Sequence, residues 1–414
     1  MRRYRTTLGF RDFRLLWSGM TLSALGDSMS LVALLWLVYQ TTGSVRQLGW
    51  FVAAYTAPVA VGGLIAGSVL DRFDRRAVLI ADNLIRGAAF GIVPLLYHSG
   101  ALALWHLYAV AVLFALFKML PLAGVPAMIP ELVPSGELDS ANALESIGYG
   151  VATLAGPAAA GVLLTQLNGA DVLAIDAATY LAFAMLLGRS RPPARQRHTD
   201  PSPAADRRMG VRPALRFVVG QPAILATTIM FMLFNVGLGI ILVVLPVYAE
   251  TVLTGGSSAF GLLSSTLAAG ELAGAAAAGM VASRWPLGRA IALSQLLAGA
   301  FLLGLVALPQ LPGAVAFLAL SAFCTGPLTV WAQTLRMRLI PGHLRGRTFG
   351  LLRTGMQATP PLGGLAASAL LAGPGLRLAV LATALLIGVP GATGLLLRSL
   401  RTPVEADPAG ATRD

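Results

Sequence analysis

The chain has 414 residues, 56% of them hydrophobic and only 12% charged, with a formal net charge of +12. A water-soluble domain carries about a quarter charged residues, so this composition excludes one and places most of the surface in lipid. The arginines lie between apolar runs rather than on one face, which argues against nucleic acid as a partner, and Cys324, the sole cysteine, excludes an intrachain disulfide or a multi-cysteine metal site.

The N-terminal "MRRYRTTLGFRDFRLLW" has the charged start of a signal peptide, but the apolar stretch behind it runs on to about Tyr39 and predicts a retained first span. Eleven further apolar runs follow. The twelve occupy about 14–40, 47–70, 77–97, 103–129, 142–166, 171–188, 222–249, 258–282, 288–308, 313–338, 348–372 and 376–397. Each is long enough for a hydrocarbon core of about 30 Å, and their length without strict alternation predicts helices. The fold class is therefore all-α, a polytopic membrane protein of twelve transmembrane helices.

Arginines cluster before span one, after spans two, eight and twelve, and around the gap after span ten, whereas the opposite loops hold little beyond Arg46 and Arg377. The positive-inside rule then puts both termini in the cytoplasm. The longest gap, "RSRPPARQRHTDPSPAADRR", is rich in Pro and Arg and reads as a basic linker. "VRPALRF" behind it suits the inner lipid surface, with Arg212 and Arg216 toward anionic headgroups. The expected organisation is a six-helix bundle over 1–188, a cytoplasmic linker over 189–221, a second six-helix bundle over 222–398 and a tail over 399–414. The halves resemble each other: "TGSVRQLG" from Thr42 aligns with "TGGSSAFG" from Thr254, and "GSVLDRFDRR" from Gly67 aligns with "GMVASRWPLGR" from Gly279, where Ser283 replaces Asp71. Two parallel, pseudo-symmetric six-helix repeats are a transporter signature.

Gly67, Asp71, Arg72, Arg75 and Arg76 match the loop 2–3 signature of the major facilitator superfamily, with Asp74 in place of its usual glycine. "FRLLWSGMTLSALGD", "ADNLIRG", "VPAMIPELVPSGELDSANALE", "IDAATYLAFAM" and "LRGRTFGLLR" resemble one bacterial branch, the enterobactin and macrolide exporters. In span five, Gly156, Pro157 and Gly161 resemble part of the Gly-Pro motif of drug/proton antiporters. The resemblance implies the superfamily's two-bundle fold and export. It also implies a cytoplasmic latch: Asp71 against the N-terminus of span eleven, and Arg72 and Arg75 on carboxylates or helix-end carbonyls, with Arg76, Arg345 and Arg347 in the same gate. Topology alone also accounts for arginines at this inner turn.

A charge at mid-membrane costs about 2.5–3.5 kcal/mol on insertion scales, so each one there is a candidate for function. Asp27 lies mid-span one and Lys118 mid-span four, and in the resembled family spans one, four, seven and ten line the central cavity. Lys118 is the only lysine among thirty basic residues. Lysine, unlike arginine, releases its proton when desolvated. An Asp27–Lys118 pair sensitive to protons is expected, the alternatives being a permanent structural ion pair or a Lys118 that reaches to the headgroups. Glu271, among small residues in span eight, is a second candidate proton carrier or a site for a cationic substrate. Asn235, Thr325, Trp331 and Gln333 are candidate cavity contacts, although ordinary helix packing explains each alone. Asp82 and Arg86, four apart on span three, share a face and pair; their place near the cytoplasmic end assigns them to the gate.

No nucleotide motif, metal cluster or nucleophile constellation is visible, so no enzyme is expected and no cofactor beyond a proton gradient. The reading is a monomeric exporter of small amphipathic molecules (a drug, siderophore or secondary metabolite) in the bacterial plasma membrane, driven by proton antiport. Its alternatives are a proton-coupled nutrient importer and, from another class, a membrane receptor or membrane-embedded enzyme.

Overall fold

The computed structural model of the chain describes residues 2–190, 212–280, 286–341, 344–372 and 375–401, and every regular element among them is helical. The twelve spans appear in the expected order. Span one is the single helix Arg11–Thr42, closed by Gly43 at φ 57°, the left-handed conformation glycine adopts freely. Span two, Val45–Arg72, starts under the Ser44 side chain, which accepts the Gln47 N–H at 3.3 Å, and bends at Ala57 ahead of Pro58. Spans three (Arg75–His98), four (Leu104–Leu132), five (Ser135–Leu163) and six (Gly169–Arg189) follow. After the surface helix Arg212–Gly220 come spans seven (Pro222–Thr251), eight (Gly256–Met280), nine (Leu287–Ala307), ten (Leu311–Leu339) and twelve (Leu376–Leu396).

Span eleven is the exception: it divides into Arg345–Gln357 and Pro360–Ala372. Pro360 and Pro361 donate no backbone hydrogen bond, and the Pro360 ring displaces the carbonyl four residues back, that of Met356. That carbonyl is satisfied from outside the helix, accepting from Asn235 Nδ2 at 3.1 Å and Thr359 Oγ1 at 2.8 Å. Span four is interrupted in the same way at Lys118, three residues before Pro121.

Contacts gather the chain into two compact units. One contains Met1–His198, Gly239–Ala268 and Pro360–Ala379; the other contains Thr199–Leu238, Ala269–Thr359 and Val380–Asp414. The core of the first unit is apolar packing among spans one, three, four, five and six around Phe13, Met20, Leu79, Met128 and Phe183. Two backbone-to-backbone crossings also lie in this unit. A methyl on Gly161 of span five would stand 2.7 Å from the Gly261 Cα of span eight, and a methyl on Gly364 of span eleven would stand 2.8 Å from the Gly49 carbonyl oxygen of span two. Gly49 and Gly261 are the closing glycines of the two aligned repeats, so equivalent positions do equivalent work. Large apolar side chains such as Leu64, Ile65, Leu95, Met185, Leu385 and Leu396 remain exposed, as the lipid-facing surface of a membrane bundle requires.

Candidate functional site

The interior of the first unit holds a network of ionisable side chains from spans one, three and six. Arg86 is at its centre. Its Nε donates to Asp82 Oδ1 at 3.0 Å and its Nη2 to Asp82 Oδ2, a fork that the spacing of four on span three predisposes. Nη1 reaches across to Asp27 of span one at 3.4 Å and to the Tyr180 hydroxyl of span six at 3.4 Å. The Tyr180 hydroxyl donates in turn to Asp27 Oδ1. The guanidinium carbon also stands 4.5 Å from the centroid of the Tyr180 ring, and the edge of that ring is held by Phe90 at 5.5 Å.

Asp176 lies one turn before Tyr180 on span six. It accepts from the Ser30 hydroxyl of span one and from Thr179 Oγ1 at 3.0 Å. Gly26 permits this approach, because a methyl there would overlap the Asp176 carboxylate and the Thr179 hydroxyl. Exposure separates the members sharply. The side chains of Arg86 and Asp82 are 1% and 0% exposed and Asp176 is 0% exposed, whereas Asp27 is 26% exposed. The arrangement is thus one guanidinium shared among carboxylates, with Asp27 as its open member.

The direct Asp27–Lys118 pair expected from the sequence is not formed. Asp27 is engaged by Arg86 and Tyr180, and among the described residues Lys118 has no salt-bridge partner; its Nζ stands 6.0 Å from the Phe114 ring centroid. The reason is neighbourhood: spans three and six pack on span one at this level, and Arg86 lies eleven residues into span three, about 16 Å along it. Asp82 and Arg86, expected in the cytoplasmic gate, pack against Asp27 of span one and Tyr180 of span six. Their mutual pairing stands.

The loop signature is partly engaged. Arg75 donates to Glu131 at 2.9 Å and to the Ala127 carbonyl at 2.8 Å, both on span four. Arg76 donates to the Leu187 and Gly188 carbonyls at 2.7 and 2.8 Å, in the last turn of span six, whose carbonyls lack intrahelical partners. Asp74 is the N-cap of span three and accepts the Ala77 N–H at 2.8 Å. Asp71 and Arg72 are exposed, Arg72 beside Phe73 and Asp71 with no ion pair among the described residues; Gly67 is exposed with open space around it. Ser283 and the side chains of Arg345 and Arg347 lie outside the described residues, as do residues 191–211 of the linker expected over 189–221.

Of the remaining candidates, Gly156 packs on Leu25 and Ser28 of span one, and Gly161 forms the crossing with span eight. Pro157 is buried between them in span five. Glu271 is exposed on span eight, where its own turn contacts span ten at Gly326. Asn235 spends its amide on the break in span eleven, and Thr325 bonds the Ala322 carbonyl of its own helix at 2.7 Å. Trp331 is half-buried and Gln333 exposed. Two residues apart on a helix, they face nearly opposite sides. Tyr180 was not singled out in the sequence. The available signal was the spacing of Asp176, Thr179 and Tyr180, which puts three polar groups on one face of an otherwise apolar span.

A family model described as "Transmembrane secretion effector" matches residues 6–408. The multidrug efflux pump Tap of Mycobacterium tuberculosis is 29% identical over 395 residues, covering 92% of this chain and 92% of that protein. Its namesake in Mycolicibacterium fortuitum is 28% identical, covering 94% and 95%. Macrolide efflux protein A of Streptococcus pyogenes is 26% identical over 168 residues, 40% of each chain. Among solved structures, a bacterial homolog of the human lysosomal transporter Spinster superimposes with a TM-score of 0.72 at 15% identity, covering 95% of this chain and 96% of that one. A POT family transporter in complex with 5-aminolevulinic acid gives 0.72 at 14% identity, covering 93% and 96%. These two likenesses concern the fold.

Proposed function

Because the chain belongs to the transmembrane secretion effector family of the major facilitator superfamily, a family of transporters and not of enzymes, we propose that it exports small amphipathic molecules in exchange for protons. The cargo class is a drug, siderophore or secondary metabolite. The export reading is supported by relatives whose names are a multidrug efflux pump and a macrolide efflux protein. In this reading the protein works as a monomer in the bacterial plasma membrane, both termini are cytoplasmic, and the halves 1–188 and 222–398 alternate access to a shared cavity.

The observation that carries the proton side of the proposal is the Asp27–Arg86–Tyr180 contact. Asp27 is the most exposed member of the network, and it is bonded by the Arg86 guanidinium and the Tyr180 hydroxyl. Protonation of Asp27 removes the charge that holds Arg86 and turns the carboxyl into a competing donor toward Tyr180. Spans one, three and six then lose a common tie, which is how a proton is converted into a change of helix packing. The bidentate Arg86–Asp82 pair keeps the guanidinium in place while Asp27 cycles. Lys118 and Glu271 remain additional candidates for proton carriage, and the polar groups of spans seven and ten for cargo contact.

The test is proton-driven uptake into inside-out vesicles, with a cationic acridine dye as cargo. Asp27→Asn is expected to abolish uptake driven by a pH gradient while retaining dye binding to the purified protein. Wild-type uptake by Asp27→Asn would sink the assignment. Lys118→Arg separates the two candidate carriers: normal uptake with an unchanged pH profile removes the lysine from coupling.

A further inference from the structure

The second unit contains a buried cation that no carboxylate neutralises among the described residues. Arg336, on the last two turns of span ten, is 4% exposed. Its guanidinium carbon stands 5.1 Å from the centroid of the Phe231 ring of span seven, and its Nη2 donates to the Met356 sulfur of span eleven at 3.5 Å. Its Nε is buried with no hydrogen-bond partner, and among the described residues no carboxylate pairs with it.

The sequence explains why. Between residues 212 and 401 the acidic residues are Glu250 and Glu271 alone. The turn of Glu271 meets span ten at Gly326, ten residues from Arg336 and so about 15 Å away along the helix. Glu250 is nineteen residues beyond Phe231 on span seven, about 28 Å. Neither reaches. A guanidinium held out of water with an unfilled donor is costly, and arginine does not escape the cost by losing its proton. Its planar fork suits a carboxylate or phosphate, and the aromatic face and thioether beside it suit the apolar body attached to such a group.

We propose that Arg336, with Phe231 and Met356, forms a binding site for the anionic group of an amphipathic molecule, a carboxylate or phosphate carried on an apolar body. Two sources share this chemistry. One is a free organic anion, which would extend the exporter's cargo to acids; this identification of the occupant rests on the export reading. The other is an anionic lipid headgroup. The site adjoins the apolar cluster of Val218, Ile224, Ile340 and Leu352, against which Met356 packs, and Val218 belongs to the surface helix that carries Arg212 and Arg216.

The experiment is thermal unfolding of the full-length protein in phosphatidylcholine nanodiscs, with naphthoate as the anionic probe and naphthylmethylammonium as its cationic match. It uses no proton gradient, so its outcome is independent of whether export occurs. Naphthoate is expected to raise the wild-type midpoint by about 3–5 °C at saturation and naphthylmethylammonium to leave it unchanged. Arg336→Met is expected to unfold at or above the wild-type midpoint, because an unpaired buried cation has been replaced by an apolar group, and to lose the naphthoate response. Arg336→Lys, which keeps the charge without the fork, is expected to keep a smaller response and serves if the methionine variant does not fold. A rise on adding phosphatidylglycerol, with a blunted naphthoate response, identifies the headgroup as occupant; no such rise identifies the free anion. The proposal is overturned if neither naphthoate nor phosphatidylglycerol moves the wild-type midpoint. It is equally overturned if the cationic probe matches naphthoate, or if Arg336→Met responds as the wild type does.

Discussion

Replacing Arg86 by methionine is the sharpest test of how the buried network is held. The substitution keeps most of the side-chain volume and removes the guanidinium that pairs with two carboxylates, Asp82 and Asp27. Asp82 suffers most: its side chain is 0% exposed, and both of its oxygens are bonded by Arg86. Stranding one partner of a buried pair costs about 3–5 kcal/mol. Asp27 adds little, because it is 26% exposed and keeps the Tyr180 hydroxyl. If the stranded charge is the cause, Asp82→Asn added to Arg86→Met removes it and leaves a deficit of lost hydrogen bonds, about 1 kcal/mol. The double variant should therefore recover about 2–4 kcal/mol of what the single variant loses. Unfolding free energies in mixed micelles titrated with dodecyl sulfate measure both. Uptake should stay abolished in the double variant, since Asp27 has no cation to release. If the double variant were as unstable as the single, the stranded-charge account of Asp82 would be wrong.

Two further outcomes follow from the geometry and a third from the resemblance of the loop signature. Gly161→Val should lower stability by about 1–3 kcal/mol and stop export, because the added branch meets the Gly261 backbone, whereas Gly67→Ala, with open space around it, should express and transport as the wild type does. Parallel expression, unfolding and dye-efflux measurements compare the two. Asp74→Ala should cost about 1 kcal/mol through loss of the span-three cap, but Asp74→Gly, the residue usual in this signature, only a few tenths, read in the same unfolding assay. Asp71→Asn should slow turnover more than it weakens dye binding; unchanged transport kinetics would remove Asp71 from the latch.

Much of the architecture was legible because lipid imposes a simple rule. Runs of apolar residues marked the spans, and the caps Ser44 and Asp74 lie three residues ahead of the starts expected at about 47 and 77. The Asp82–Arg86 pair was legible for the same local reason, a spacing of four on one helix. What escaped was contact between helices. Nothing near Asp27 in the chain indicates that Arg86 and Tyr180 flank it, because that depends on how spans one, three and six turn toward one another. Lys118, unusual by composition, drew the pairing instead. The division of span eleven was written locally in "ATPP", but a long apolar run hides a break when length is the criterion. Arg336 escaped because a loop-proximal arginine reads as a topology signal until its burial is known.

The network also bears on how the chain enters the membrane. Span three carries Asp82 and Arg86 already within reach of each other, so it can leave the ribosome and partition into lipid as a self-neutralised segment. Spans one and six carry no internal cation for their carboxylates: Asp27 is bonded by Arg86 and Tyr180 on other helices, and Asp176 by Ser30 of span one and by Thr179, a neutral hydroxyl of its own helix. Span one must wait beside the translocon, or insert loosely, until span three supplies a guanidinium and span six its phenol. Because span six ends at Arg189, almost half the polypeptide is synthesised before the cluster can close. The helices that ionisable groups bind together are then also the ones whose lateral release is delayed, and a truncation ahead of Tyr180 should leave a nascent bundle open to membrane proteolysis.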